Sequence, residues 1–205
     1  MSLYGYKRKT TPLLDQWARG ALVFENAFSP ASWTLPAATS LFTSLQPYAH
    51  KVMHRYKTNL LDENIKTLPQ ILKENGYQTA AFTGGLDYYY KFGHMRGFDE
   101  IDYNPNFTSF EVTLAQAKNW LSKNSHKKFF LFIHGYDAHA PFTPPEKFKG
   151  IFSNPKGRNI TVDPRFCIRG FKDSNNEYTA YYLSQADPFS GTQPAKKLAL
   201  EDDLP

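Results

Sequence analysis

Thr34 and His139 are the residues of this chain whose type and setting could do chemistry. Thr34 opens the run Thr34-Leu35-Pro36-Ala37-Ala38-Thr39-Ser40-Leu41-Phe42-Thr43, whose small residues and Leu41, Phe42 and Leu45 predict a helix with Pro36 in its first turn. A hydroxyl at a helix N-terminus sits beside N–H groups without intrahelical partners and at the positive end of the helix dipole. Both stabilise a tetrahedral anion in contact with it. Such a hydroxyl can attack a phosphate or sulfate ester once activated, and a bound divalent cation is one way to activate it. The plainer reading of Thr34 is a helix cap beside a first-turn proline.

His139 stands in Asp137-Ala138-His139-Ala140-Pro141, just beyond the apolar run Phe129 to His134. Ligands gather past strand ends in α/β sheets, so His139 could donate a hydrogen bond to an ester oxygen or protonate a leaving group. Its plainer reading is a solvated loop histidine. Asp137 is placed to bind the backbone of that loop, and His134 reads as a packing or supporting residue.

These residues need a scaffold, and the hydrophobic pattern supplies one. Thr11-Pro12 followed by Leu13, Leu14, Trp17 and Ala18 and closed by Gly20 predicts a short helix. Ala21 to Phe28 predicts a buried strand before the loop Ser29 to Trp33. Leu68, Ile71 and Leu72 at helical spacing before Gly76, then Gln78 to Phe82 ending at Gly84-Gly85, predict a helix and a strand. Thr108 and Glu111 have capping-box spacing, and Phe110, Leu114, Ala117 and Leu121 line one face of a helix reaching about Ser122. Phe129 to His134 is continuously apolar, as a strand covered on both faces of a parallel sheet should be. Helices alternating with such strands predict a layered α/β fold. Residues 1–186 are expected to form the domain, and 187–205, polar and Pro-containing, a C-terminal tail.

Composition narrows the partners. The 205 residues are 41% hydrophobic, enough for one sizeable core. Lys and Arg number 24 against 19 Asp and Glu, a net charge of +5, but the basic residues are scattered, which argues against nucleic acid as partner. Tyr88 to Lys91 reads as a partly exposed loop. His54, His94 and His126 stand in polar sequence and receive no role. The one cysteine, Cys167, excludes an intrachain disulfide framework and a Cys-rich zinc site. No stretch has the ~20 apolar residues of a membrane helix, and the N-terminus lacks a signal-peptide core.

Over about Leu3 to Phe148 the chain resembles the sulfatase family of the alkaline phosphatase superfamily. Ser29 to Thr43 is similar to that family's nucleophile turn, in which Cys, Ser or Thr precedes x-Pro and opens a helix. Phe132 to Pro145 resembles its strand and loop ending in Asp-x-His-x-Pro. Tyr4-Gly5-Tyr6 with Thr10 to Asp15 resembles its opening, Gly20 to Phe28 its strand before the catalytic turn, and Leu68 to Phe82 its Leu-Pro-x-x-Leu-x-x-x-Gly-Tyr-x-Thr-Ala phrase. Arg96-Gly97-Phe98-Asp99 resembles its Arg-Gly-Phe-Asp. His50, in Pro47-Tyr48-Ala49-His50-Lys51-Val52, matches a histidine of Tyr-Pro-His-x-His-Gly-Val.

The resemblance implies an alkaline-phosphatase-like three-layer sandwich with a mostly parallel sheet, truncated in this chain, and hydrolysis of sulfate or phosphate esters. Thr34 would be the nucleophile and a metal ligand, His139 the contact to the ester or leaving group, and His50 a substrate contact or a brace of its turn. The implied cofactor is a divalent cation: calcium, magnesium, manganese or zinc. The implied partner is a sulfated or phosphorylated small molecule, glycan or lipid headgroup; relatives are often exported or membrane-attached.

The departures from the family pattern bear on mechanism. Thr34-Leu35-Pro36-Ala37-Ala38 stands where formylglycine sulfatases resemble Cys/Ser-x-Pro-x-Arg. Oxidised threonine would be a ketone, so the aldehyde-hydrate route is not expected, and Ala38 removes the arginine. A Thr nucleophile resembles the phosphoethanolamine and phosphoglycerol transferases. The Asp or Glu metal ligands that family members carry upstream of the Tyr-Gly phrase, and a later Asp-His or Asp-Asn pair, have no counterpart here, so the cation would find too few oxygen ligands. A noncatalytic domain that keeps the fold and binds an anion, sugar or protein is the alternative.

Overall fold

A computed structural model describes residues 1–55, 59–104, 106, 108–139, 145–148 and 151, together with the strands between 159 and 199. The chain forms two compact units, one of Ala27–Asp137 and one of Met1–Asn26 with Ala138–Pro205.

The unit Ala27–Asp137 is built on three parallel strands, β1 (Gln78–Gly84), β2 (Glu100–Asn104) and β3 (Phe129–Ile133), in the order β2-β1-β3. Strand alternation sends odd and even residues to opposite faces, and helices cover both. On one face, Ala81 of β1 and Phe130 and Phe132 of β3 pack with Ala38 and Phe42 of α2 (Thr34–Thr43), along with Tyr88, Met95 and Phe98. On the other, Ala80, Phe82, Leu131 and Ile133 meet Ala117 and Trp120 of α5 (Phe110–Asn124). The result is a three-layer α/β/α sandwich with a parallel sheet, as the sequence predicts. β3 is an edge among the described strands, so its apolar run is half-buried although both faces carry a helix.

Two short helices complete this unit, α3 (Pro47–His50) and α4 (Leu68–Glu74). α4 owns the capping box: Thr67 Oγ1 accepts from the Gln70 N–H, and the Gln70 side chain accepts from the Thr67 N–H. The pair expected to cap α5, Thr108 and Glu111, does not; Ser109 precedes the helix and makes no side-chain cap. The buried face of α5 is Thr113, Ala117 and Trp120, while Phe110 and Leu114 are exposed. β2 was not legible as a strand: Glu100-Ile101-Asp102-Tyr103-Asn104 is polar at alternate positions because it lies at the sheet edge.

In the other unit, α1 (Pro12–Ala18) follows Thr11 as predicted. Thr11 Oγ1 donates to Asp15 and shares a hydrogen bond with Ser2, tying the N-terminus to the first turn. The strand expected at Ala21 to Phe28 is not formed. Leu22, Phe24 and Phe28 are exposed, so among the described residues the apolar run that suggested it is left largely uncovered. Two antiparallel pairs follow, β4 (Asn159–Val162) with β7 (Lys196–Ala199) and β5 (Phe171–Lys172) with β6 (Tyr178–Ala180). Residues 187–195 and 200–205 and Cys167 lie outside the described residues.

Candidate active site

Thr34 is the first residue of α2, preceded by Trp33 in extended conformation. The first intrahelical bond runs from the Ala37 N–H to the Trp33 carbonyl at 3.4 Å, so the N–H groups of Thr34 and Leu35 precede it and Pro36 contributes none. No side chain of the N-cap residue closes this end. Leu35, at zero exposure, anchors the turn among Val52, Leu61 and Phe92, which fixes the direction in which the half-buried Thr34 points. Thr34 lines a groove of about 650 Å³ along α2 with Phe28, Pro30, Ala38, Leu41 and Tyr88.

Beyond its own helix, Thr34 meets Tyr136. The buried phenol lies near the Thr34 side chain. Burial, reinforced by the Asp87 charge, pushes its pKa up to about 12, so Tyr136 is neutral at physiological pH and not a base. Its ring lies against Gly85, whose φ of +87° and close approach to that ring leave no room for a Cβ. Two residues on, Asp87 is buried and accepts a bidentate pair from Arg55, Nε to Oδ1 at 2.6 Å and Nη2 to Oδ2 at 2.9 Å. The Arg55 guanidinium also lies over the Trp33 ring, 5.4 Å from its centroid.

His50 is 2% exposed, and both ring nitrogens are engaged. The Val52 N–H donates to Nδ1 at 3.0 Å, so the proton sits on Nε2, 3.0 Å from Ser40 Oγ of α2. Lys51, at the glycine position of the family phrase, takes φ +62° to turn the chain back for this bond. Burial lowers the His50 pKa, partly offset by hydrogen bonding to the Pro36 carbonyl. His50 thus braces the helix that carries Thr34. His94 is not in polar surroundings as its sequence context suggests: it has zero exposure, stacks with Phe42 and Phe92, and burial pushes its pKa down to about 3. Tyr88 is likewise buried, whereas Tyr90 is exposed.

His139 falls in the other compact unit, half-buried in the turn after Asp137; Ala140 and Pro141 lie outside the described residues. Asp137 itself accepts from the Phe110 N–H at 2.6 Å, so it holds the start of α5 rather than its own loop. Arg96, Phe98 and Asp99, of the phrase that resembles the family's Arg-Gly-Phe-Asp, are architectural. Arg96 donates to the Leu61, Asp62 and Ile65 carbonyls, Phe98 enters the core, and Asp99 accepts from Thr79.

The model of the sulfatase family matches residues 1–186. The chain belongs to the sulfatase family. This sulfatase-family chain is 25% identical over 207 residues to human iduronate 2-sulfatase, covering 80% of itself and 36% of that relative. It spans about a third of the length of the curated relatives it matches. Its fold is that of the phosphonate monoester hydrolase of Agrobacterium radiobacter, with TM-score 0.61 and 17% identity over 72% of this chain and 40% of that one. It also matches BT4656 in complex with its substrate D-glucosamine-2-N,6-O-disulfate, with TM-score 0.61 and 19% identity over 77% and 36%.

The cation implied by the family would have to be held by the oxygen donors around Thr34. Among the described residues they include its hydroxyl, the neutral Tyr136 phenol and Asp87, whose two oxygens already serve Arg55. A divalent cation needs several oxygens, carboxylates among them, and would sit here against a guanidinium. Among the described residues no group of three or more acidic, His or Cys side chains could hold a metal. These residues do not fit the cation. Arg55, Asp87 and Tyr136 were missed from sequence; Arg55 and Asp87 are 32 residues apart, and no local pattern links them.

Proposed function

We propose that this sulfatase-family chain supplies the nucleophile-bearing part of a hydrolase of sulfate or phosphate esters. The observation that carries the reading is Thr34 at the open first turn of a ten-residue helix, facing a groove. Thr34 Oγ forms a bond to the sulfur or phosphorus as the bond to the ester oxygen breaks, and its own proton passes to water. His139, assigned by resemblance to the family, gives a proton to the departing oxygen. Water then attacks the same sulfur or phosphorus and gives up a proton to solvent, while the Thr34 oxygen leaves and takes a proton back and His139 is reprotonated from solvent, releasing sulfate or phosphate and restoring the site. Ser40 and His50 position the helix without touching substrate. The substrate class is a sulfated or phosphorylated small molecule, glycan or lipid headgroup. If the family's calcium, magnesium, manganese or zinc took part, Thr34 would be one ligand, and the other described residues would not complete its shell.

The test is turnover of p-nitrophenyl sulfate, phosphate and phosphodiester with added divalent metals, by the chain and by Thr34→Ala. Turnover that disappears in the variant supports the reading. Equal near-background rates favour a noncatalytic anion- or sugar-binding domain, for which Ala38 in place of the family arginine already speaks. Transfer of the sulfuryl or phosphoryl group to an added alcohol instead of water would identify the transferase alternative.

A further inference from the structure

We propose that Arg55 is the cationic contact for the anionic oxygens of a sulfate or phosphate ester at Thr34, standing in for the arginine that Ala38 cannot supply. The inference rests on the reading of Thr34 as the residue that meets the ester. Two contacts bring the guanidinium close to that place. It stacks over Trp33, the residue before Thr34. It pairs with Asp87, two residues from the glycine on which Tyr136 packs.

The asymmetry of the ion pair argues for a ligand role. The Asp87 side chain is 5% exposed and that of Arg55 is 51% exposed. Burying a carboxylate against a half-solvated cation is a poor source of stability. What the bidentate bond does achieve is to fix the direction of a long side chain that would otherwise sample many rotamers, lowering the ordering cost on binding. Asp87 takes Nε and Nη2, so Nη1 stays outside the ion pair. A guanidinium donates in a planar fork that suits two oxygens of a tetrahedral anion. None of the groove residues along α2 is charged, so a charged side chain for an anion at the open helix end has to come from beyond the groove lining.

The experiment follows the arginine Nε–H resonances of the chain by NMR while sodium sulfate, and separately sodium phosphate, replaces chloride at constant ionic strength. The Arg55 signal is expected to shift saturably. Arg55→Gln is expected to weaken the anion about tenfold or more, about 1.4 kcal/mol, with Arg55→Lys between. Should Arg55→Gln fail to fold because Asp87 is left buried and unpaired, the double variant Arg55→Gln/Asp87→Asn removes both charges and is expected to show the same loss. An Arg55 signal that does not move at saturation, or unchanged affinity in the double variant, overturns the inference. Thr34→Ala separates the two readings. Arg55-dependent anion binding, with ester turnover that is at background or unchanged by Thr34→Ala, sinks the nucleophile and keeps Arg55; turnover lost in Thr34→Ala with Arg55-independent binding does the reverse.

Discussion

α2 and α5 cover opposite faces of one parallel sheet, yet their N-termini are finished differently. α5 begins with its first N–H bonded to the Asp137 carboxylate, an anion built into the chain. α2 begins with Thr34, no side-chain cap from Trp33, and a groove in front. Both ends carry the same positive dipole and the same unpaired donors. One is closed by structure, and the other is left for something that arrives. Substitution at the closed end should therefore cost stability, and at the open end activity.

The largest effect expected is at the open end. Thr34→Ala should abolish ester turnover, a loss of about a thousandfold or more for removal of a nucleophile, while urea unfolding stays within about 0.5 kcal/mol because no cap bond is lost. A stability loss like that of a true cap would make α2 another α5 and break the contrast. Next in size is acid. Burial holds the pKa of both His50 and His94 below the usual 6.5, His94 at about 3. Between those values the unfolded chain binds more protons than the folded one, so stability is full above pH 6.5 and falls as pH drops toward 3. The slope is about 1.4 kcal/mol per pH unit for each fully engaged histidine. Urea midpoints from pH 8 to 4 measure it, and His94→Phe should flatten the curve.

The brace of α2 comes third. His50→Ala leaves the Val52 N–H and Ser40 Oγ unpartnered in a buried place and opens a cavity, an expected loss of about 2–4 kcal/mol. If His50 were a solvent-facing substrate contact instead, stability would hold while KM rose. The helix carrying Thr34 should loosen with it, read as faster amide exchange at Ser40 and Phe42.

What sequence disclosed and what it hid divide along the same line as local and distant contacts. Pro36, the small residues after it and Phe42 announce α2 and its start at Thr34, because capping and periodicity are properties of neighbours. Phe129 to Ile133 announces a sheet strand because helices on two faces demand apolar residues at every position. By contrast, Ala21 to Phe28 has the same apolar look and forms no strand. Periodicity registers only that a run is apolar, and pairing needs a neighbour that sequence does not name. Asp87 and Arg55 were invisible for the same reason. A bidentate pair across 32 residues leaves no spacing to read, and Asp87 in Gly85-Leu86-Asp87-Tyr88 looks like a turn acid. Phrases that resemble the family were legible as phrases, but not as roles: Arg96, Phe98 and Asp99 hold the architecture.

The smallest effect belongs to the closed end and completes the contrast. Asp137 is exposed, so its bond to the Phe110 N–H is worth about 1 kcal/mol, a cap and dipole contribution weakened by solvent. Asp137→Asn keeps an acceptor and should lose only the charge part, a few tenths of a kcal/mol that vanish at high salt. Asp137→Ala should lose the whole, about 1 kcal/mol by urea unfolding, with amide exchange quickening at Phe110. Added sulfate or phosphate gives the sharper reading. If an open helix N-terminus alone were sufficient to hold such an anion, Asp137→Ala would create a second site and the anion would restore the lost stability. If Arg55 is what distinguishes the α2 end, the anion should bind there and leave the uncapped α5 end empty.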